Sequence, residues 1–404
     1  MTNIYRTAIA IIGIVVPACG LADTQLLLRG TSVSQHQENS FQQHAVGHQR
    51  FEKNGLHLSQ AVVAGEYHLE HGVSIAGVLN GYGDGEQPVG LSQLYVKYRP
   101  LTAASIKSEV KVGAFYPQIS AENTDMGWLS PHFLSNSAIN SWLGEELRIG
   151  GIEFSLRQNG RQVRRNWSWK VTGSLFKGND TIGTLLSWRG FALHDRQSLY
   201  NDRINFLPIP GVVDDDKLNA PAWTDPFREI DGRIGYYIGA HLAHKRTSEL
   251  RYYYYDNNAD PTQVDPDRLY AWQTRFHSVT LRYMSTPKLT FFAQALSGNT
   301  VMGKDFVNND FHSAYIAGAY ETGSMAFAAR LDWYQVLDKD VTMYDPNDSQ
   351  GSALTLSARY ELTDNAAVTL EWQINQGEQD NLRFFQSSRN YTERLAQLAL
   401  TLRL

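Results

Sequence analysis

The sequence predicts an all-β protein, a single transmembrane, antiparallel, up-and-down β-barrel of about sixteen strands with short periplasmic turns and long extracellular loops. Three observations predict it. An export segment opens the chain, segments that alternate apolar with polar residues recur to its end, and the connections between them alternate short and long.

The export segment comes first. Arg6 precedes an uncharged, largely apolar run from Ala8 to Ala22, followed at once by Asp23 and Thr24. Gly20 and Ala22 supply small residues for cleavage after Ala22, and Pro17 breaks any helix long enough to stay behind as an anchor. Residues 1–22 are therefore expected to be a cleaved signal peptide and 23–404 one barrel domain. Val16-Pro17-Ala18-Cys19 has a faint likeness to a lipoprotein box, for which proline is a poor fit. Cys19 is the only cysteine, so the mature chain has no thiol, disulfide or thiolate metal site.

Without Arg6 the mature chain carries 35 basic against 41 acidic residues. That balance offers no footprint for nucleic acid. No Pro- or Ser-rich linker, helical heptad or 20- to 50-residue repeat divides the chain, which favours one large architecture.

A strand that crosses a membrane needs roughly 9–11 residues with one face to lipid and one to the lumen. Such segments lie at 24–34, 56–70, 73–82, 90–100, 107–116, 146–157, 166–177 and 231–244, then at 248–256, 268–284, 289–299, 310–321, 324–336, 351–361, 366–376 and 391–404. The clearest set Val368, Leu370, Trp372 and Ile374 against Thr369, Glu371 and Gln373, or Leu354, Leu356, Ala358 and Tyr360 against Thr355, Ser357 and Arg359. Segments 73–82, 289–299 and 310–321 are ambiguous in phase.

Short connections fall at His71-Gly72, 101–106, 158–165, Lys245–Thr247, Ser285–Lys288, Thr322-Gly323 and Leu362–Asn365. Longer ones occupy 35–55, 83–89, 117–145, 178–230, 257–267, 300–309, 337–350 and 377–390. If odd strands run outward, the aromatic residues on apolar faces should gather at the two membrane interfaces. Tyr98, Trp167, Trp169, Tyr283 and Tyr360 fall near periplasmic ends, and Tyr116, Tyr236, Tyr252, Tyr254, Trp333 and Trp372 near external ends. The last strand sets Ala396, Leu398, Leu400, Leu402 and Leu404 on one face, which resembles the C-terminal assembly signal of outer-membrane barrels, with Leu in place of the usual Phe.

Over its mature length the chain resembles the sixteen-stranded bacterial porins, general diffusion and phosphate-selective kinds included, in architecture rather than in a diagnostic motif. The resemblance implies a bacterial outer-membrane location, contact with lipid and lipopolysaccharide, a homotrimer, no cofactor, and passive diffusion of small hydrophilic solutes or ions. It also implies that the connection after the fifth strand, 117–145, folds inward as a constriction loop. Trp128, Pro131, Phe133 and Trp142 could anchor that loop, and Glu122, Asp125 and Glu145 would give it negative charge.

Strand phase nominates Lys97, Arg99, Lys107, Lys111, Lys170, Arg282, Arg330 and Arg359 as pore-lining, with Glu109, Glu153, Asp332, Glu361 and Glu371 as carboxylate neighbours. Charges of both signs suit a weakly selective channel, and an acidic loop facing Lys97–Lys111 would set up a transverse field. The bland reading is that these charges pair and stabilise the wall. Phe115, Tyr237, Tyr253, Tyr255 and Tyr334 could also face inward, which keeps open a substrate-specific sugar or anion channel, or a ligand-binding barrel with a plugged lumen.

The longest connection, 178–230, contains Trp188, Arg189, Trp223 and the run Asp214-Asp215-Asp216, which lacks the spacing of a calcium loop and reads as a solvated acidic tip. His36, His44 and His48 read as surface histidines rather than a metal site. No G-x-S-x-G, H-E-x-x-H, P-loop or dinucleotide motif is present, and His241, His277 and His312 have no partner visible in sequence. An enzyme is not expected. A secreted water-soluble β-protein would account for the export segment but not for the loop alternation.

Overall fold

The structure is a computed structural model that describes residues 23–35, 47–213, 219–304, 306–386 and 388–404. The proposed signal peptide, Cys19, His36, His44 and Asp214-Asp215-Asp216 lie outside the described residues.

The barrel strands are β1 (Asp23–Gln35), β2 (Gly55–His68), β3 (Val73–Gly81), β4 (Val89–Tyr98), β5 (Ile106–Ala114), β6 (Gly150–Gln158), β7 (Trp167–Lys177) and β8 (Gly235–His244). They continue as β9 (Ser248–Asp256), β10 (Trp272–Thr286), β11 (Leu289–Met302), β12 (Val307–Thr322), β13 (Met325–Asp338), β14 (Ser349–Thr363), β15 (Ala366–Gln379) and β16 (Asn390–Arg403). Each pairs antiparallel with its neighbours in sequence, and β1 closes on β16 in a register from Leu27 opposite Arg403 to Gln35 opposite Leu395. Closure removes every open strand edge, which is what a sheet needs in a solvent without hydrogen-bonding partners.

All sixteen expected strands are present, most with ends within a few residues of the expected ones. The largest differences are at 146, 231 and 268, where β6, β8 and β10 begin four residues later. At the first of these, residues 146–149 are apolar and polar in the right order but belong to a segment buried inside the barrel.

The period-two pattern sorts side chains between lipid and lumen. Val96, Ile152, Leu175, Ile238, Ile316, Leu331, Leu370 and Leu398 form part of the outward apolar belt. Tyr98, Trp167, Tyr283 and Tyr360 are exposed at one level, and Tyr236, Tyr252, Trp333 and Trp372 at another. Tyr116 is a correction: β5 ends at Ala114, and Tyr116 turns inward, is 6% exposed, and stacks on Trp128 with ring centres 4.4 Å apart. There its hydroxyl donates to the Gly144 carbonyl at 3.2 Å and its ring lies 4.4 Å from the Arg148 guanidinium, so both the polar tip and the ring face find partners inside.

Two connections occupy the lumen. From Phe133 to Ile149 every residue of the connection between β5 and β6 is buried, and so is nearly every residue from Asn179 to Leu199 between β7 and β8. The first carries helix α1 (Ala138–Glu146), and the second carries the short helix α2 (Thr184–Arg189). Their Trp142, Leu143, Leu186 and Phe191 pack against Tyr237, Tyr255, Phe276, Phe311 and Tyr334 of the inner wall, forming an apolar core inside the barrel. Phe115, Tyr237, Tyr253, Tyr255 and Tyr334 do face inward, and each is covered by this packing.

Candidate functional site: the lumen and its inward loop

The inward loop crosses the lumen from wall to wall, and its course follows from polar pairs that burial makes obligatory. It leaves β5 beside β7, where Lys170 Nζ donates to Gln118 Oε1 at 3.0 Å. It then passes β9, where Arg251 Nη1 donates to the Ser120 carbonyl at 2.6 Å, and β10, where Thr280 Oγ1 donates to the Ile119 carbonyl at 2.9 Å. Glu122 reaches β13, its Oε1 lying 2.5 Å from Arg330 Nη1. Asp125 reaches β16 and pairs with Arg403. Returning, the Pro131 carbonyl accepts from Arg359 Nη1 at 3.0 Å, and the amides of Leu134 and Ser135 donate to Glu371 at 2.7 and 3.0 Å.

Helix α1 begins where Ser137 caps the Asn140 amide at 3.3 Å. Two carboxylates meet that positive end: Glu122 accepts from the Ser137 amide, and Asp332 Oδ1 accepts from the Ala138 amide at 3.0 Å. Trp142 points into the aromatic core, 5.1 Å from Phe311 and 5.4 Å from Phe276 between ring centres, and its Nε1 donates to Glu146 Oε2 at 2.6 Å.

Glu145 and Glu146 join the two inward segments. Glu145 lies 2.5 Å from Arg189 Nη2 and 2.9 Å from His194 Nε2. Burial alone would raise its carboxyl, but Arg189 and His194 bring it down to about 2. Glu146 instead accepts amides at the start of α2, from Gly183 at 3.2 Å and Leu185 at 2.9 Å. With no cation among these partners, burial pushes its carboxyl up to about 7. Gly183 sits there at φ +107, and a Cβ on it would fall 2.2 Å from Thr300 Oγ1, so only glycine lets the chain approach that wall.

The expected lining residues divide between two environments. Lys97 pairs with Glu66, Arg99 with Glu109, and Lys111 with Glu153 at 3.2 Å. Lys107 donates to the Thr102 carbonyl, Arg359 pairs with Glu361 at 2.6 Å, and Arg282 is half-buried on the inner face of β10. Arg330 is not a water-facing lining residue: it is fully buried, held by Glu122 and by Asp332 at 2.8 Å. The structure also corrects the transverse field. Glu122, Asp125 and Glu145 do not confront the Lys97–Lys111 wall, because each already has its own arginine on another element.

Three parts of the site escape sequence reasoning. Glu146, and the role of Glu371, which strand phase places on the inner wall only as a carboxylate neighbour, depend on amides brought from distant segments. Arg50 of the first long connection bonds to Asp84 and Asp195, each at 2.7 Å, and Arg29 of β1 reaches Asp195 at 3.3 Å, tying three connections to the wall. His48 stacks on Tyr391 at 4.1 Å and pairs with Glu393, within a buried network rather than at the surface.

Asp180, Glu229 and Asp231 bring carboxylate oxygens within 4.8 Å of one another. They accept backbone amides of Ile230, Gly232, Gly178 and Arg233 at 2.5–2.7 Å, which closes the loop they belong to. His312 Nδ1 lies 3.0 Å from Ser297 Oγ on the outer wall, but among the described residues no carboxylate pairs with His312, so the pair lacks the group that orients a catalytic histidine.

No protein-family model matches the chain, and no curated protein matches it. Among solved structures it is similar to the outer-membrane channel DcaP of Acinetobacter baumannii, with a TM-score of 0.55 at 10% identity over 95% of this chain and 97% of that one. It is similar to OmpF of Salmonella typhi in complex with daunomycin, with a TM-score of 0.54 at 12% identity over 95% and 97%. A trimer form of OmpT, an outer-membrane protein of Vibrio cholerae, gives a TM-score of 0.55 at 8% identity over 95% and 99%. Identities this low speak for architecture alone, and together with the closed barrel they establish that this chain has the porin-like fold of sixteen-stranded outer-membrane barrels.

Proposed function

We propose that the chain is a passive channel of the bacterial outer membrane, narrow in bore, which lets small hydrophilic solutes or ions move down their gradients. The observation that carries this reading is the inward loop of 117–145, which crosses the lumen of a closed barrel, packs on one apolar stretch of its wall and is tied by charged and polar pairs to β13, β15 and β16 on its far side. A loop held at both walls sets a fixed aperture instead of closing as a hinged lid. Covalent chemistry and a cofactor have no part in this reading. The outward belt would meet lipid and lipopolysaccharide, and a homotrimer is proposed by likeness to the OmpT trimer form.

The packing of two segments inside the barrel favours a restricted channel over a wide one. In a planar bilayer under a salt gradient, the purified, refolded protein is expected to give stable ohmic steps. Deleting Asn123–Ser137 is expected to raise the conductance several-fold. A folded barrel without conductance would overturn the channel reading, and an unchanged conductance on deletion would remove the loop from the path.

Neutralising Lys97, Arg99, Lys107 and Lys111 together is expected to shift ion preference towards cations. The partners Glu66, Glu109 and Glu153 would then be left uncompensated in the same wall. Reversal potentials measure this, and no shift would show that this wall does not line the path.

A further inference from the structure

At the external end of the barrel a cavity separates two apolar clusters. One gathers Trp188 of α2 with Phe206 and Ile209 of the connection that follows, and the other gathers Trp272 of β10 with Tyr270 and Met302. Trp223, on a short hairpin that pairs Ile204–Asn205 with Trp223–Thr224, forms a further side. The connection between β13 and β14 completes the lining with Asp345 and Asn347. The free space is about 60 Å³ for the centres of water-sized groups, and the walls are mainly apolar.

Three polar groups in those walls lack what burial demands of them. Trp188 Nε1 and Ser187 Oγ, on residues 8% and 2% exposed, have no hydrogen-bond partner among the described residues. Asp345 is buried beside a neutral donor, Asn347 Nδ2 at 3.1 Å, and among the described residues no cation stands at ion-pair distance from it. The charges that act on it are those of Asp340 and Asp338, both of its own sign, and together with burial they push its carboxyl up to about 7. Arg268 also lines the cavity but is engaged in a contact of its own.

We propose that this cavity binds a small quaternary ammonium group, of the kind that choline carries, with its charge beside Asp345 and its methyl groups enclosed by Trp188, Phe206, Trp223, Tyr270 and Trp272. Aromatic faces attract a cation, and most strongly where water is excluded. Arg203 lies 4.2 Å from the centre of the Trp223 ring, so one of these rings already carries a cation. The acceptors decide against an ammonium that has N–H groups. It would bring several donors, whereas the lining offers the Asp345 carboxylate and little else, because Asn347 Oδ1 already accepts from Asn309 at 3.2 Å. A quaternary nitrogen brings no donor, and its methyl groups suit the apolar walls. An oxygen on the same ligand, such as the choline hydroxyl, accepts from Trp188 Nε1 or Ser187 Oγ. The site faces the external mouth and needs no passage through the barrel, so it stands apart from the channel reading.

The test is calorimetric titration of the refolded protein at pH 8, where Asp345 is ionised, in a maltoside detergent, which has no ammonium head group. Choline chloride is the probe. Ethanolamine supplies the same skeleton without the methyl groups, and dimethylbutanol the same shape without the charge. Saturable choline binding is expected, with each comparison compound at least tenfold weaker. Asp345→Asn is expected to weaken choline binding at least tenfold and to unfold no earlier than the native protein, since it removes a buried charge without a counter-ion. Ala220→Leu, which fills the cavity and leaves its polar groups in place, is expected to abolish binding. Choline is also expected to raise the thermal midpoint of the native protein and leave that of Asp345→Asn unmoved. Absent choline binding, binding of ethanolamine or dimethylbutanol as tight as that of choline, or undiminished binding by Asp345→Asn would each overturn the proposal.

Discussion

Replacing Arg330 with methionine is expected to release the inward loop and raise single-channel conductance several-fold. Its guanidinium holds Glu122 at 2.5 Å and Asp332 at 2.8 Å, donates to the carbonyls of Ser135 and Asn136 at 2.9 and 2.8 Å, and lies 4.7 Å from the centre of the Phe133 ring. Removing one member of such a buried group leaves two carboxylates without a counter-charge, a loss of about 3–5 kcal/mol. The barrel wall, closed by its own ladders, has no comparable dependence on Arg330, so the loss falls on the loop. Limited proteolysis should then cut within 117–145 while the barrel keeps its strand content, as read by circular dichroism. Adding Glu122→Gln and Asp332→Asn to the same variant removes the stranded charges and is expected to restore most of the protection. An Arg330→Met protein with native conductance and native resistance would show that the loop is held by its apolar packing.

The second large effect is a pH dependence centred on Glu146. Its carboxyl is raised from an ordinary value of 4.5 to about 7, by burial first and by the neighbouring Glu145 charge as well, against the amides and the Trp142 indole that favour the ionised form. Because the folded value lies above the unfolded one, its contribution is fully present below about pH 4.5 and is lost as pH rises through 7. The loss approaches about 3 kcal/mol at 1.4 kcal/mol per unit. Glu145 runs the other way: its contribution is present above 4.5 and is lost as pH falls through 2. The contact between the two inward segments is therefore expected to be tightest near pH 5 and weaker at pH 8. Glu146→Gln, fixed in the neutral form, should hold the segments equally well at both, as read by amide exchange over 138–149 and 179–199. A pH response that persists unchanged in Glu146→Gln would assign it to another group.

The wall was legible in the sequence because each membrane-crossing strand solves the same problem locally. One face meets lipid, the alternation records it, and the final strand from Asn390 to Arg403 reads as plainly as any. The phase was obscure where that premise fails. On β11, Phe292 and Leu296 face inward, and on β12 Phe311, Tyr315 and Ala317 do, so both faces of those strands are apolar and period two fades. The reason is the packed interior, which no single strand announces. On β3, Val78 turns inward to pack with Leu129 of the loop.

The lining was harder to read for a related reason. Strand phase can place Arg330 or Lys107 on the inner face, but it cannot say what stands opposite. Arg330 meets Glu122, more than two hundred positions away in the chain, and becomes a buried anchor, whereas Lys107 meets no acid at ion-pair distance among the described residues. Glu146 carries no sequence signal of its own: its neighbour Glu145 has the same chemistry, and only the arrival of Arg189 at one and the α2 amides at the other separates them.

The loop that runs from β5 to β13, β15 and β16 and back has a mechanical consequence. A sixteen-stranded wall one residue thick is a thin shell, and sideways pressure from the bilayer would tend to flatten its circular section into an oval. Glu122 with Arg330, Asp125 with Arg403, and the Leu134 and Ser135 amides on Glu371 act together as a diametral strut across that section. Flattening along the strut would compress a packed apolar core, and stretching along it would pull apart buried charges. The same segment that crosses the lumen would thereby help to keep the barrel round, and its cross-section is expected to change little with the tension of the surrounding membrane.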